Sequence, residues 1–133
     1  LARQPECFTF SLHGARNFPF EKETSDLDVE LPDDTGDTGY LDALDAALPV
    51  VFARSQPQLV IYLAGADPFA GDRLGRLKLS KAGLAARDEL VLGECRRRGL
   101  PVAIAMAGGY ARQIDDTVAI HAATSSNTNY WYI

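Results

Sequence analysis

Two short stretches of the chain combine residue types that can do chemistry. Gly65-Ala66-Asp67-Pro68-Phe69-Ala70-Gly71-Asp72-Arg73-Leu74-Gly75 sets two carboxylates into a glycine-rich turn. Ala107-Gly108-Gly109-Tyr110 presents a phenol directly after two residues without side chains. Asp67 leaves an apolar run into a tight turn, where a carboxylate either caps the backbone or binds a metal ion. Asp72 has the same two options, with the capping role favoured. Gly108 and Gly109 let the backbone pass close to a ligand. Tyr110 is then either a hydroxyl donor to that ligand or a buried structural phenol. His13 follows an apolar strand pattern and reads as structural, and His121 sits among apolar neighbours and reads as surface or packing. Cys7 and Cys95 lie far apart and match no zinc-binding spacing, so they read as reduced thiols of a cytoplasmic protein.

These residues need elements to hold them. Cys7 to Leu12 is aromatic and β-branched, which predicts a strand ending near His13. Residues 14–25 form an irregular loop around Asn17-Phe18-Pro19-Phe20. Leu27-Asp28-Val29-Glu30-Leu31 alternates strictly, as a half-buried edge strand does. Asp37 is the expected cap of a helix with Leu41, Leu44, Leu48, Val51 and Phe52 on one face. Pro49 should kink or divide that helix. Leu59–Ala64 and Pro101–Met106 are continuous apolar runs, the pattern of parallel strands buried on both faces. Between them Ser80 caps a helix that runs to Arg98 and stops at Gly99. A last helix spans roughly Arg112 to Ala123, ahead of the aromatic end Tyr130-Trp131-Tyr132.

The alternation of strands and helices specifies a parallel α/β architecture. In such sheets sites form at the carboxyl ends of the strands, where both chemistry-bearing stretches fall. The chain has 133 residues, enough for one domain or part of one, and carries a formal charge of −5. That balance argues against direct nucleic-acid binding. Arg96-Arg97-Arg98 reads as the cationic last turn of a helix. No apolar run is long enough to span a membrane, and residues 1–7 lack the apolar core of a signal peptide. A start at Leu1 with strand-like sequence almost at once suggests a truncated or processed chain.

Taken together, Ser11-Leu12-His13, Phe18-Pro19, the 65–75 stretch and Gly108-Gly109-Tyr110 resemble the histone deacetylase superfamily in order and spacing. Residues 11–20 are most similar to bacterial deacetylase-like proteins, acetoin-utilisation proteins and class IV deacetylases. The resemblance covers essentially the whole chain, 1–133, as the carboxy-terminal portion of one catalytic domain. It implies a three-layer parallel sheet with helices on both faces, similar to the carboxy-terminal half of the arginase/deacetylase fold.

The resemblance also implies roles. Asp67 matches a zinc ligand, and Tyr110 the catalytic hydroxyl that supports the oxyanion. Ser11 and the Leu12 carbonyl match a monovalent-cation site, with K+ the candidate ion. Phe18 and Leu74 match the walls of a tunnel for the acyl-lysine stem, and Gly108 and Gly109 match its close-approach lining. The implied substrate is an acyl-lysine protein, with an acetylated polyamine or other small acylated amine as the alternative. The family's remaining zinc ligands and its water-activating His pair are expected upstream of Leu1, so this chain alone is expected to be inactive. It is expected to self-associate or to pack against the other half of the domain. An arginase-like binuclear site is disfavoured, because no second Asp-rich motif is present.

Overall fold

The computed structural model describes residues 4–126. The elements are β1 (Phe10–Gly14), β2 (Leu27–Leu31), α1 (Asp37–Ser55), β3 (Val60–Ala64), α2 (Lys81–Arg97), β4 (Val102–Met106) and α3 (Ile114–Ser126). The strands form two parallel pairs, β1 with β2 and β3 with β4. Val60 stands opposite Val102 and Ala64 opposite Met106, so β3 and β4 end together. The aromatic stretch Tyr130-Trp131-Tyr132 lies outside the described residues.

Most expected elements are present, with instructive shifts. β1 begins three residues later than its composition suggests. Before it, the Asp26 carboxylate accepts from the Thr9 backbone N–H and hydroxyl at 2.7 and 2.8 Å, which diverts the Thr9 N–H from a backbone partner. Helix α2 starts as expected: Ser80 Oγ accepts from the Gly83 N–H at 2.9 Å. It ends at Gly99, whose φ of 65° only glycine adopts without strain. Within its last turn Arg97 and Arg98 both pair with Glu94 at 2.6 Å.

Asp37 does not cap α1. The cap position is Gly36, with no side-chain bond, and Asp37 is the first helical residue. Its carboxylate instead accepts from the Ser80 N–H at 2.8 Å and the Ser80 hydroxyl at 2.6 Å, joining the starts of α1 and α2. Gly83 is required there, because a Cβ at that position would collide with the Asp37 carboxylate. Pro49 does not divide α1, which runs through it as one helix. Tyr40, Leu44 and Leu48 before or beside the proline and Phe52 after it are all buried, so both halves are anchored in the core.

The described residues cover β3 on one face only and leave the other open, as expected of a strand whose sheet continues into chain beyond this piece. Val60, Tyr62 and Val102 pack on the core formed by Leu44, Leu77, Leu79, Leu84 and Cys95. Ile61 and Leu63, which point the other way, are 63% and 67% exposed. A groove of about 620 Å³ opens between β1 and β3, lined by Phe8, Phe10, Leu12, Ile61 and Leu63 with Tyr40 and Leu44 among its other walls. An apolar run thus marks a strand but not which of its faces this chain covers. Among the described residues no helix is long and apolar enough to cross a membrane.

The Ser80 hydroxyl both caps α2 and donates to Asp37, so its loss should cost more than an ordinary cap. Ser80→Ala in the intact protein should lower stability by about 1–2 kcal/mol, read from the urea midpoint. A change below about 0.3 kcal/mol would show that the junction is not held by this hydroxyl.

Candidate active site

The common end of β3 and β4 positions the two chemistry-bearing stretches side by side. The Ala66 N–H donates to the Gly108 carbonyl at 2.6 Å, extending the parallel pairing past the strands. Asp67 therefore leaves β3 directly against the glycines that follow β4. A Cβ at Gly65 would collide with the Asp67 carboxylate, and one at Gly108 would lie 3.2 Å from Asp67 Oδ1. Gly109 has φ 154°, and a Cβ there would sit 2.8 Å from that of Ala66. Gly109 is thus needed for the close approach of the two strand ends, while a side chain at Gly108 would press on the Asp67 carboxylate.

The two carboxylates meet different fates. Asp72 is 5% exposed and accepts from the Leu74 and Gly75 N–H groups at 2.8 and 2.7 Å through Oδ1. Its Oδ2 accepts from the Tyr110 N–H. Asp72 is the capping residue, and it fixes the backbone of Tyr110. Among the described residues no neighbour donates a hydrogen bond to the Asp67 carboxylate, and burial pushes its carboxyl above the usual carboxylate range. The Asp72 charge pushes it the same way, while Arg87 and His121 pull it down. A half-buried carboxylate with so few donors is suited to a cation. Among the described residues no three His, Cys, Asp or Glu side chains gather into a group that could hold a metal. Asp67 therefore offers carboxylate oxygen to a cation without such a group beside it among the described residues.

The remaining predicted residues divide by location. Tyr110 is 56% exposed, and its hydrogen bonds with Asp72 and Arg73 are made by its backbone. Ser11 and Leu12 lie on β1, and Ser11 Oγ shares a 2.8 Å hydrogen bond with His13 Nδ1. His13 Nε2 is buried without a hydrogen-bond partner, 3.9 Å from Glu30. Phe18 and Leu74 are exposed at the rim. Their loops meet, because Asn17 Oδ1 accepts from the Arg76 N–H at 3.0 Å.

Sequence reasoning missed the support beneath Asp67. Arg87 and Asp88 are 4% and 2% exposed. Arg87 Nη1 donates to the Gly65 carbonyl at 2.6 Å, while Nε and Nη2 donate to Asp88 Oδ1 at 2.9 and 2.8 Å. Asp88 also accepts from the Tyr62 and Thr124 hydroxyls, both at 2.6 Å. Burial raises the Tyr62 phenol far above its usual range, so it stays a donor. The signal was available: 87 and 88 fall on the helix face of Leu84, Val91, Leu92 and Cys95, where charge is out of place.

The comparisons with known proteins bear on this arrangement. The histone deacetylase domain family matches residues 1–125. The chain belongs to that family. An uncharacterised protein of Picosynechococcus sp. is 46% identical over 117 residues, covering 88% of this chain and 39% of its own. Histone deacetylase 2 of Arabidopsis thaliana is 40% identical over 118 residues, covering 86% and 29%. The chain thus spans well under half the length of these relatives. Among solved structures, acetylpolyamine aminohydrolase from Burkholderia pseudomallei superposes with TM-score 0.71 at 20% identity, covering 90% of this chain and 36% of that one. A histone deacetylase homologue complexed with SAHA gives TM-score 0.68 at 23% identity, covering 89% and 35%. The described elements therefore belong to the α/β arginase/deacetylase fold.

The raised pKa of Asp67 gives a test that needs no activity. In the folded state the neutral carboxyl is favoured, so ionisation costs stability as pH rises from the ordinary value of 3.8 through the raised one. In chelator, intact Asp67→Asn protein should melt higher than wild type at pH 7, and the gap should close below pH 3.8. Zinc should raise the melting temperature of wild type and not of the variant. An Asn variant less stable than wild type at pH 7 in chelator would refute the desolvation account.

Proposed function

We propose that the intact protein is a zinc-dependent amidohydrolase that removes the acyl group from acyl-lysine. The observation that carries this reading is the pairing at the strand ends. A carboxylate short of donors, Asp67, lies against a glycine backbone that continues into Tyr110, whose main chain Asp72 fixes. Membership of the histone deacetylase domain family supports the same chemistry.

Asp67 would hold zinc through its carboxylate, together with ligands from the rest of the domain. Zinc in such a site supplies a Lewis acid and a water of lowered pKa. Tyr110 donates its hydroxyl to the oxygen of the amide carbonyl as negative charge develops there. Its ring is free to face substrate because the tether to Asp72 uses only the backbone N–H. Gly108 and Gly109 leave room for an extended stem beside the backbone. Phe18 and Leu74 supply apolar surface for that stem. Ser11 Oγ and the Leu12 carbonyl would be the oxygen ligands offered to a monovalent cation, K+. The apolar face of Ile61 and Leu63 and the groove beside β1 would be covered by the remainder of the domain. The 133-residue chain alone should therefore self-associate in light scattering and show no deacetylase activity with added zinc.

Tyr110→Phe tests the central role. In the intact protein it should keep its zinc and lower kcat on an acetyl-lysine peptide about 10²–10³-fold. A kcat within about threefold of wild type would remove Tyr110 from the chemistry. Turnover of acetylated polyamine in preference to the peptide would move the substrate assignment to small acylated amines.

A further inference from the structure

The loop between β1 and β2 carries two aromatic rings into solvent. Phe18 and Phe20 are 80% and 79% exposed and meet edge to face, 6.2 Å between centroids. A surface loop with this little burial ordinarily samples many arrangements. Here three of its carbonyls converge on one ammonium group. Lys22 Nζ donates to the carbonyls of Ala15 at 2.9 Å, Asn17 at 2.8 Å and Pro19 at 3.1 Å. All three N–H donors of the lysine are therefore used within its own loop. Convergent carbonyl dipoles repel one another unless a positive charge sits among them. Lys22 supplies that charge from inside the chain, as a free monovalent ion would from solution.

The clamp does not end at the loop. Asn17, one of its three acceptors, also takes the Arg76 N–H through Oδ1. Asp33 gathers Arg16 at 3.4 Å and Arg76 at 3.1 Å, tying the same two segments by charge. Gly75, next to Arg76, donates to Asp72, whose other oxygen takes the Tyr110 N–H. Short covalent and hydrogen-bonded steps therefore lead from the Lys22 ammonium to the backbone of Tyr110.

We propose that Lys22 is a positioning residue for substrate: a tethered cation that holds the Phe18 wall in register with Leu74 and Tyr110. This rests on the acyl-lysine reading of the site. With the loop preformed, an acyl-lysine stem meets an ordered aromatic wall and does not bear the entropy of building one. Lys22 touches neither the substrate nor the metal in this account, so its contribution belongs to binding.

Lys22→Met keeps the apolar stem and removes the charge. In the intact protein, hydrogen exchange of the amides from Ala15 to Phe20 should accelerate. KM for an acetyl-lysine peptide should rise about tenfold, with kcat and zinc content at wild-type values. In Lys22→Ala, methylammonium added to the buffer should slow that exchange and bring KM back toward wild type. A larger tetramethylammonium ion should do neither, since it has no N–H to donate. Exchange unchanged in Lys22→Met would overturn the clamp. Faster exchange with unchanged KM, or a fall in kcat alone, would overturn its role toward substrate. If wild type hydrolyses no acyl-lysine peptide, the functional reading fails and the substrate role with it, while the exchange and rescue data still decide whether the ammonium orders the loop.

Discussion

Arg87 and Asp88 are removed from water together, and the rest of the structure around the site is arranged to satisfy them. Desolvating two such ions costs several kcal/mol each unless their hydrogen-bonding capacity is met. Here it is met from three directions: Tyr62 on β3, Thr124 on α3 and the Gly65 carbonyl at the start of the site loop. Each partner stands at a fixed place relative to α2. The pair thus sets where β3 ends and how the chain turns into Asp67. A misplaced α3 or a slipped β3 would leave a buried charge without a partner, which gives this small unit one arrangement.

The same logic of matched and unmatched charge separates the two aspartates of the loop. Asp72 collects three backbone N–H groups and becomes a satisfied structural anion. Asp67, five residues earlier, lies against glycine backbone and is offered no hydrogen bond by the neighbouring described residues. Burial makes its ionised form costly. Stability and function are in tension at this one residue, as they commonly are where a site is held ready for a ligand. The rim shows a milder version: exposed aromatics are held in place by charge, through Lys22 and through Asp33 with its two arginines.

The open face of β3 and the groove beside β1 carry a related message. A parallel strand reads as continuously apolar because a sheet of this class is covered on both sides. The described residues cover only the side of Val60 and Tyr62 and expose Ile61 and Leu63. The pattern in β3 records a burial wider than these residues provide. Its relatives, more than twice as long, have further chain that could provide it.

Local chemistry was legible wherever one residue type had one physical use. Ser80 and Gly99 marked the ends of α2 because a hydroxyl cap and a positive φ are properties of single positions. The apolar runs at 59–64 and 101–106 marked β3 and β4 to within a residue, and the order of elements gave the α/β class. The family followed from motifs whose spacing is a property of the sequence itself. What sequence could not decide was each choice between partners far apart in the chain. Asp37 could cap its own helix or reach Ser80, 43 residues on, and only packing of α1 on α2 brought Ser80 within reach. Asp67 and Asp72 shared the same two options in sequence, with capping only favoured for Asp72, until the Tyr110 N–H, supplied across the strand ends, went to it. Pro49 threatened to divide α1, which nonetheless continues through it with buried residues on both sides. A residue's options are written in its own chemistry; which option is taken depends on donors and surfaces that other segments bring, and those exist only once the chain has folded.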